Sequence, residues 1–156
     1  MIKHCIAVLA LCLTTSMQAQ ITFNTGSIQL DTDLNQINLS ASANFESFKN
    51  DCAVAYHVST SSLEDMRVRL HWSPGEIYFA LELARLSRRP VADVIHIYQN
   101  NPKNGWGNIA KQMGIKPGSS EFHQLKQNAG NTKNKAHYKS KGKPKHAGKG
   151  NKKKYS

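Results

Sequence analysis

Cysteine is scarce in this chain: Cys5, Cys12 and Cys52 are the only three among 156 residues. No Cys/His cluster has zinc spacing, and so few thiols rule out the dense disulfide framework of many small secreted domains. Catalytic signatures are missing as well. There is no G-x-S-x-G elbow and no glycine-rich phosphate loop. Glu121 and His123 stand two apart, so on a helix they point to different sides. His137 and His146 lie among lysines, which repel a cation. These absences leave no residue expected to be catalytic, no metal ligand and no cofactor. No apolar run approaches the ~20 residues that cross a bilayer.

Acid is also missing from one end. From Lys133 to Ser156 the chain reads KNKAHYKSKGKPKHAGKGNKKKYS, with ten lysines and neither Asp nor Glu. The whole chain has 21 basic and 10 acidic residues; setting aside Lys3 and these ten lysines leaves the remainder balanced. The body is neutral, and of the net charge of +11 the tail carries ten and Lys3 the other. So little apolar surface cannot offset the entropy of ordering, so disorder is expected over residues 128–156. Lys133, Lys135, Lys139, Lys141, Lys143, Lys145, Lys149, Lys152, Lys153 and Lys154 are the residues expected to engage an anionic partner. Such a partner is an envelope polymer, an acidic lipid or nucleic acid; near an acidic membrane each lysine contributes about 1 kcal/mol, and less as salt rises.

The other end is built differently. In MIKHCIAVLALCLTTSMQAQ a short cationic start, Lys3 and His4, precedes an apolar run from Ile6 to Leu13 and a polar stretch ending in small residues. That order predicts a secretory signal peptide over residues 1–19, cleaved after Ala19. Leu11 is too bulky in front of Cys12 for a lipoprotein signal. Cys5 and Cys12 leave with the signal, and the mature chain keeps Cys52, which falls at a helical apolar spacing and is expected to be a buried thiol.

Between the ends the pattern is helical. Residues 20–42 are rich in Asn, Thr, Ser and Asp and read as an irregular or extended arm. Phe45, Phe48, Cys52 and Tyr56 then make one helical stripe, and Leu63, Met66 and Leu70 a second, with Ser61 and Glu64 as a capping box. Ser73-Pro74-Gly75-Glu76 is the clearest start signal: a serine cap, a proline at the first helical position and a glutamate three residues beyond the cap. The helix it opens, Ile77 to Leu86, is apolar on most of its circumference and belongs at the centre. Pro90 starts a further helix that Asn100-Asn101-Pro102 ends.

The segment GWGNIAKQMGIKPGSSEFHQLK, Gly105 to Lys126, reads as two short helices. Gly114 suits the left-handed position after the first, Pro117 blocks continuation and Ser119 caps the second. The string from Cys52 to Val58 resembles that from Ile109 to Ile115, so two related hairpins flank the central helix. Trp106, between Gly105 and Gly107, and the basic cluster Arg85, Arg88 and Arg89 are the candidate ligand or partner contacts of the body; the same glycines equally suit close backbone approach with the indole in the core, and the arginines equally suit the C-terminal end of the central helix.

The string GWG-x-IA-x-x-x-GIKPGS-x-EFH-x-LK, the spans from Leu34 to Asn101 before it and the lysine-rich tail after it resemble an uncharacterised family of small exported bacterial proteins. The resemblance implies the periplasm or cell envelope of a Gram-negative organism. It brings no activity and no catalytic residue.

The sequence therefore predicts an all-α fold: about five to six short helices over residues 43–127, built from hairpins around a central apolar helix. The expected function is an exported, envelope-associated binding or structural protein, not an enzyme and without a membrane span once cleaved. Two alternatives stand beside it. Helix, tight turn and capped helix also describe a helix-turn-helix reader of nucleic acid, against which the acids at Glu64, Asp65 and Glu121 would repel phosphate. An envelope enzyme would need His71, Glu76, His96 or His123 gathered into one cleft.

Overall fold

The computed structural model describes residues 21–101 and 104–140, with side chains to residue 135. The signal peptide read over 1–19, Pro102 and the lysines from Lys141 onward lie outside the described residues. Seven helices and no strand occur among the described residues, and together they form an all-α bundle: α1 (Ile28–Ala43), α2 (Phe45–Tyr56), α3 (Thr60–Val68), α4 (Pro74–Ser87), α5 (Val91–Asn100), α6 (Trp106–Gln112) and α7 (Ser120–Ser140). None of these helices is long and apolar enough to cross a membrane.

α4 is the axis. Ser73 Oγ accepts from Glu76 N while the Glu76 carboxylate accepts from Ser73 N, so the capping box expected from the sequence is closed. Every residue from Ile77 to Ala84 is buried, and α1, α2, α3, α5 and α7 all pack on this helix. Removing side chains such as Ile77, Phe79, Leu81 and Leu83 from water stabilises the fold by roughly 1.5–3 kcal/mol each. The asparagine end of α5 and the capped start of α7 also agree with the sequence.

The arm expected over residues 20–42 is instead largely helix. Leu30, Leu34, Ile37 and Ala41 recur at helical spacing and are buried in α1, which packs on α4 and α7. Burial of that stripe overrides the weak helix propensity of the intervening Asn, Thr and Ser. Only residues 21–27 remain irregular. They are fixed by paired bonds between Asn35 and the backbone of Ile21, and by Thr25 donating to Asp31 at 2.6 Å. Phe23 is fully buried and meets Phe79 edge-on at 6.1 Å.

Two boundaries shift for local reasons. Ser59, not Ser61, caps α3 by accepting from Ser62 N, two residues after His57 turns left-handed at φ 53° and closes α2. At the other end α7 runs to Ser140, past the expected tail boundary at 128. Ala129 is buried, Thr132 donates to the Tyr78 hydroxyl, and Lys133 pairs with buried Asp33 of α1. Each of these contacts holds a turn that composition alone would leave unfolded.

The stop after α6 is a Schellman motif: Ile115 N donates to Ala110 O, Gly114 N donates to Lys111 O, and Gly114 takes φ 87°. His57 occupies the matching place in the Cys52–Val58 string, so the two hairpins share a left-handed residue at their turn.

Candidate binding cleft

A concavity among the described residues lies where α2 and α7 diverge. Both pack on α1 and α4 but hardly on each other, which leaves an open cleft of about 640 Å³. Ile37 and Ala41 of α1, Phe48 and Cys52 of α2, and Tyr78 of α4 make its apolar surface, and Lys135 of α7 and Asp51 of α2 stand at its rim. The size falls within the ~300–1,000 Å³ of small-molecule sites.

Beneath the cleft sits a polar hub. Glu82 projects from the most deeply buried helix of the fold, and its side chain is only 4% exposed. It accepts from Tyr56 Oη at 2.7 Å, from Arg85 Nε at 3.1 Å and Nη2 at 2.9 Å, and from Asn128 Nδ2 at 2.8 Å. One carboxylate thus ties α2, α4 and α7 together. Burial pushes the Cys52 thiol up to about 12, and the charges of Asp51 and Glu82 add to that. Burial likewise raises the Tyr56 and Tyr78 hydroxyls well above the ordinary tyrosine value, and hydrogen bonding to Glu82 raises Arg85. At neutral pH the floor therefore offers neutral hydroxyls and an inert thiol beside an apolar wall.

Trp106 is core. Its indole is 4% exposed, packs against Trp72, Phe79 and Tyr98, and donates from Nε1 to Glu76 Oε1 at 3.1 Å. Glu76 thus caps α4 with one oxygen and anchors α6 with the other. The flanking glycines serve backbone approach: a Cβ on Gly107 would collide with the Asn24 carbonyl oxygen, and one on Gly105 would lie 3.2 Å from Asn24 Cβ. Of the two readings of this ring, core packing and ligand contact, the structure has the first: the indole is buried among aromatic neighbours.

The arginine cluster is divided. Arg85 serves Glu82, and Arg89 holds Asp93 at 2.7 Å and the Gln112 carbonyl at 3.2 Å. Arg88 is exposed in the left-handed conformation after α4, at a second depression that also has Glu121 and Gln124 on its wall. Hydrogen bonds from its own backbone amide and from Ser120 and Ser119 hold the Glu121 carboxyl below the usual range, with Arg88 a lesser cause.

Among the expected anion contacts, Lys133 is committed to Asp33 and serves as an anchor, whereas Lys135 is exposed at the cleft rim. Lys139 lies in α7, and the other seven lie outside the described residues. The groups proposed for an enzyme are dispersed. Glu76 is engaged by Ser73 and Trp106, His96 contacts Asn100 on the outer side of α5, and His71 and His123 are exposed. No group of three or more His, Cys, Asp or Glu placed to hold a metal occurs among the described residues.

Sequence reasoning missed Glu82, Tyr78 and Thr132. The one signal available was the lone acid inside IYFALELARL, since a glutamate on a helix buried all round must be paired. Comparison of the chain with protein-family models, with curated proteins and with solved structures gave no match.

Proposed function

We propose that this is an exported, envelope-associated binding protein, not a catalyst, whose helical body carries a ligand cleft and whose lysine-rich C-terminal segment engages anionic surfaces. The separation of charge carries this reading: ten lysines follow Thr132, and the mature body before them is balanced. The position of that segment supports it further. Lys133 clamps α7 to α1 through Asp33, so the lysine series departs from a fixed point on the body, beside the cleft rim at Lys135. The signal-like N-terminus and the resemblance to small exported proteins favour the periplasm or cell envelope. Mass spectrometry of the mature chain then finds Gln20 at its N-terminus; an intact Met1 start in the cytoplasm would remove the export part.

Sedimentation with vesicles rich in anionic lipid tests the surface role. Ending the chain at Ser140 removes seven lysines. At about 1 kcal/mol each near an acidic membrane, their loss weakens binding by more than 100-fold at low salt. Undiminished vesicle binding by the shortened chain would overturn the assignment. Tight duplex binding by that same shortened chain would instead support the helix-turn-helix alternative.

A further inference from the structure

We propose that the cleft between α1, α2 and α7 binds a single-chain anionic amphiphile, its acyl chain against Ile37, Ala41 and Phe48 and its acidic head at Lys135. The inference deepens the binding-protein reading and rests on it for the ligand's source.

Protein interiors pack to near-crystalline density, and an open apolar recess of about 640 Å³ is far beyond a packing flaw. The larger part of its lining is apolar, interrupted by Ser40, Asn44 and Ser47, which suits a hydrocarbon chain better than a sugar or nucleotide. The few polar groups at its floor are already engaged: Tyr56 donates to Glu82, and the Tyr78 hydroxyl accepts from Thr132. A ligand that enters there meets hydroxyls and a protonated thiol, none of which requires a charge from it. Charge enters only at the mouth. Lys135 stands there, and the sequence that follows along α7 and beyond it adds only lysine to the charge, never acid.

Geometry links the cleft to the surface role. The same helix supplies Lys135 at the mouth and leads into the lysine series. A chain held by those lysines on an acidic bilayer keeps its cleft mouth near the source of amphiphiles. Asp33 and Lys133 fix α7 two residues before Lys135, which holds the mouth on the body.

The test uses the full chain and cis-parinaric acid, a fluorescent fatty acid, below its micellar concentration. The expected result is saturable one-to-one binding, displaced by palmitate and by lysophosphatidate. Stronger displacement by palmitate identifies a free carboxylate as the source, and by lysophosphatidate a lipid headgroup. Dodecyltrimethylammonium, of opposite charge, fails to displace. Lys135→Glu, at an exposed position, lowers affinity for both anionic ligands at least tenfold and leaves that for an uncharged monoacylglycerol within twofold. Ala55→Trp, on the exposed side of the cleft, blocks all three, with circular dichroism confirming that both variants remain helical. Absence of saturable binding, equal displacement by the cationic amphiphile, or full affinity in both folded variants overturns the proposal. Vesicle sedimentation is read separately, so a chain that sediments but does not bind the probe loses the cleft assignment alone.

Discussion

Replacing Glu82 by alanine would remove the acceptor of four hydrogen bonds from a site that water scarcely reaches. The partners do not lose equally. Arg85 is almost half exposed, so water re-solvates its guanidinium and its share is under about 1 kcal/mol. Tyr56 and Asn128 are more enclosed and each loses a bond to a charged acceptor, worth about 1.5–3 kcal/mol. The sum, about 3–7 kcal/mol, spans what breaking a buried pair costs and is a large part of the ~5–15 kcal/mol that stabilises a domain. Glu82→Gln keeps the volume and one carbonyl acceptor but turns an amide toward a donor, so about 1–3 kcal/mol is expected. Urea unfolding followed by circular dichroism measures both, and an unchanged slope would show that the unfolded states remain comparable. A loss below about 1 kcal/mol for Glu82→Ala would refute the hub, because it would mean that Tyr56 and Asn128 find water or other partners.

Three further outcomes follow from the same structure. Gly107→Ala forces the Asn24 backbone away and uncovers Phe23, costing about 2–3 kcal/mol, while Gly105→Ala stays under about 1 kcal/mol; comparison of their urea midpoints checks the contrast. His57→Gly relieves a left-handed, exposed residue and stabilises by about 0.5–1 kcal/mol, visible as a rise in Tm. Alkali destabilises: folding raises Cys52 from 9.0 to about 12 and lifts Tyr56 and Tyr78 above 10.0, so the unfolded chain loses these protons first. Their contribution is whole below about pH 9, then falls by about 1.4 kcal/mol per pH unit for each group that only the unfolded state ionises. Urea titrations from pH 8 to 11 should show that decline, and a flat profile would contradict the burial of these groups.

Local signals in the sequence were legible where the physics is local. Ser73 with Glu76, Gly114 with Ile115, and Ser119 each satisfy backbone groups within a few residues, so their spacing alone announces the helix ends. The stripes through Cys52 and Met66 were readable for the same reason. α1 was not, because Asn, Ser and Thr fill the positions between Leu30, Leu34, Ile37 and Ala41, and what makes it helical is burial against α4 and α7. The last turns of α7 depend on Asp33 and Tyr78, 100 and 54 residues away in sequence. The cleft was hidden entirely: it is a gap between α2 and α7, and no residue pattern encodes where two helices fail to meet. For Trp106 the flanking glycines fitted both an exposed ring and a close backbone approach; they serve the approach of Asn24, and the ring completes the core.

The central claim is a division of labour, with a balanced helical body and a lysine-rich segment that supplies the affinity for anionic surfaces. Its most direct measurement is the salt dependence of binding to vesicles of fixed anionic content, for the full chain and for the chain ending at Ser140. The account predicts affinity that falls steeply with salt for the full chain, as screening shortens the reach of each lysine, and weak, nearly flat binding for the shortened one. Equal affinities with equal salt slopes would contradict it, since surface binding would then belong to the body.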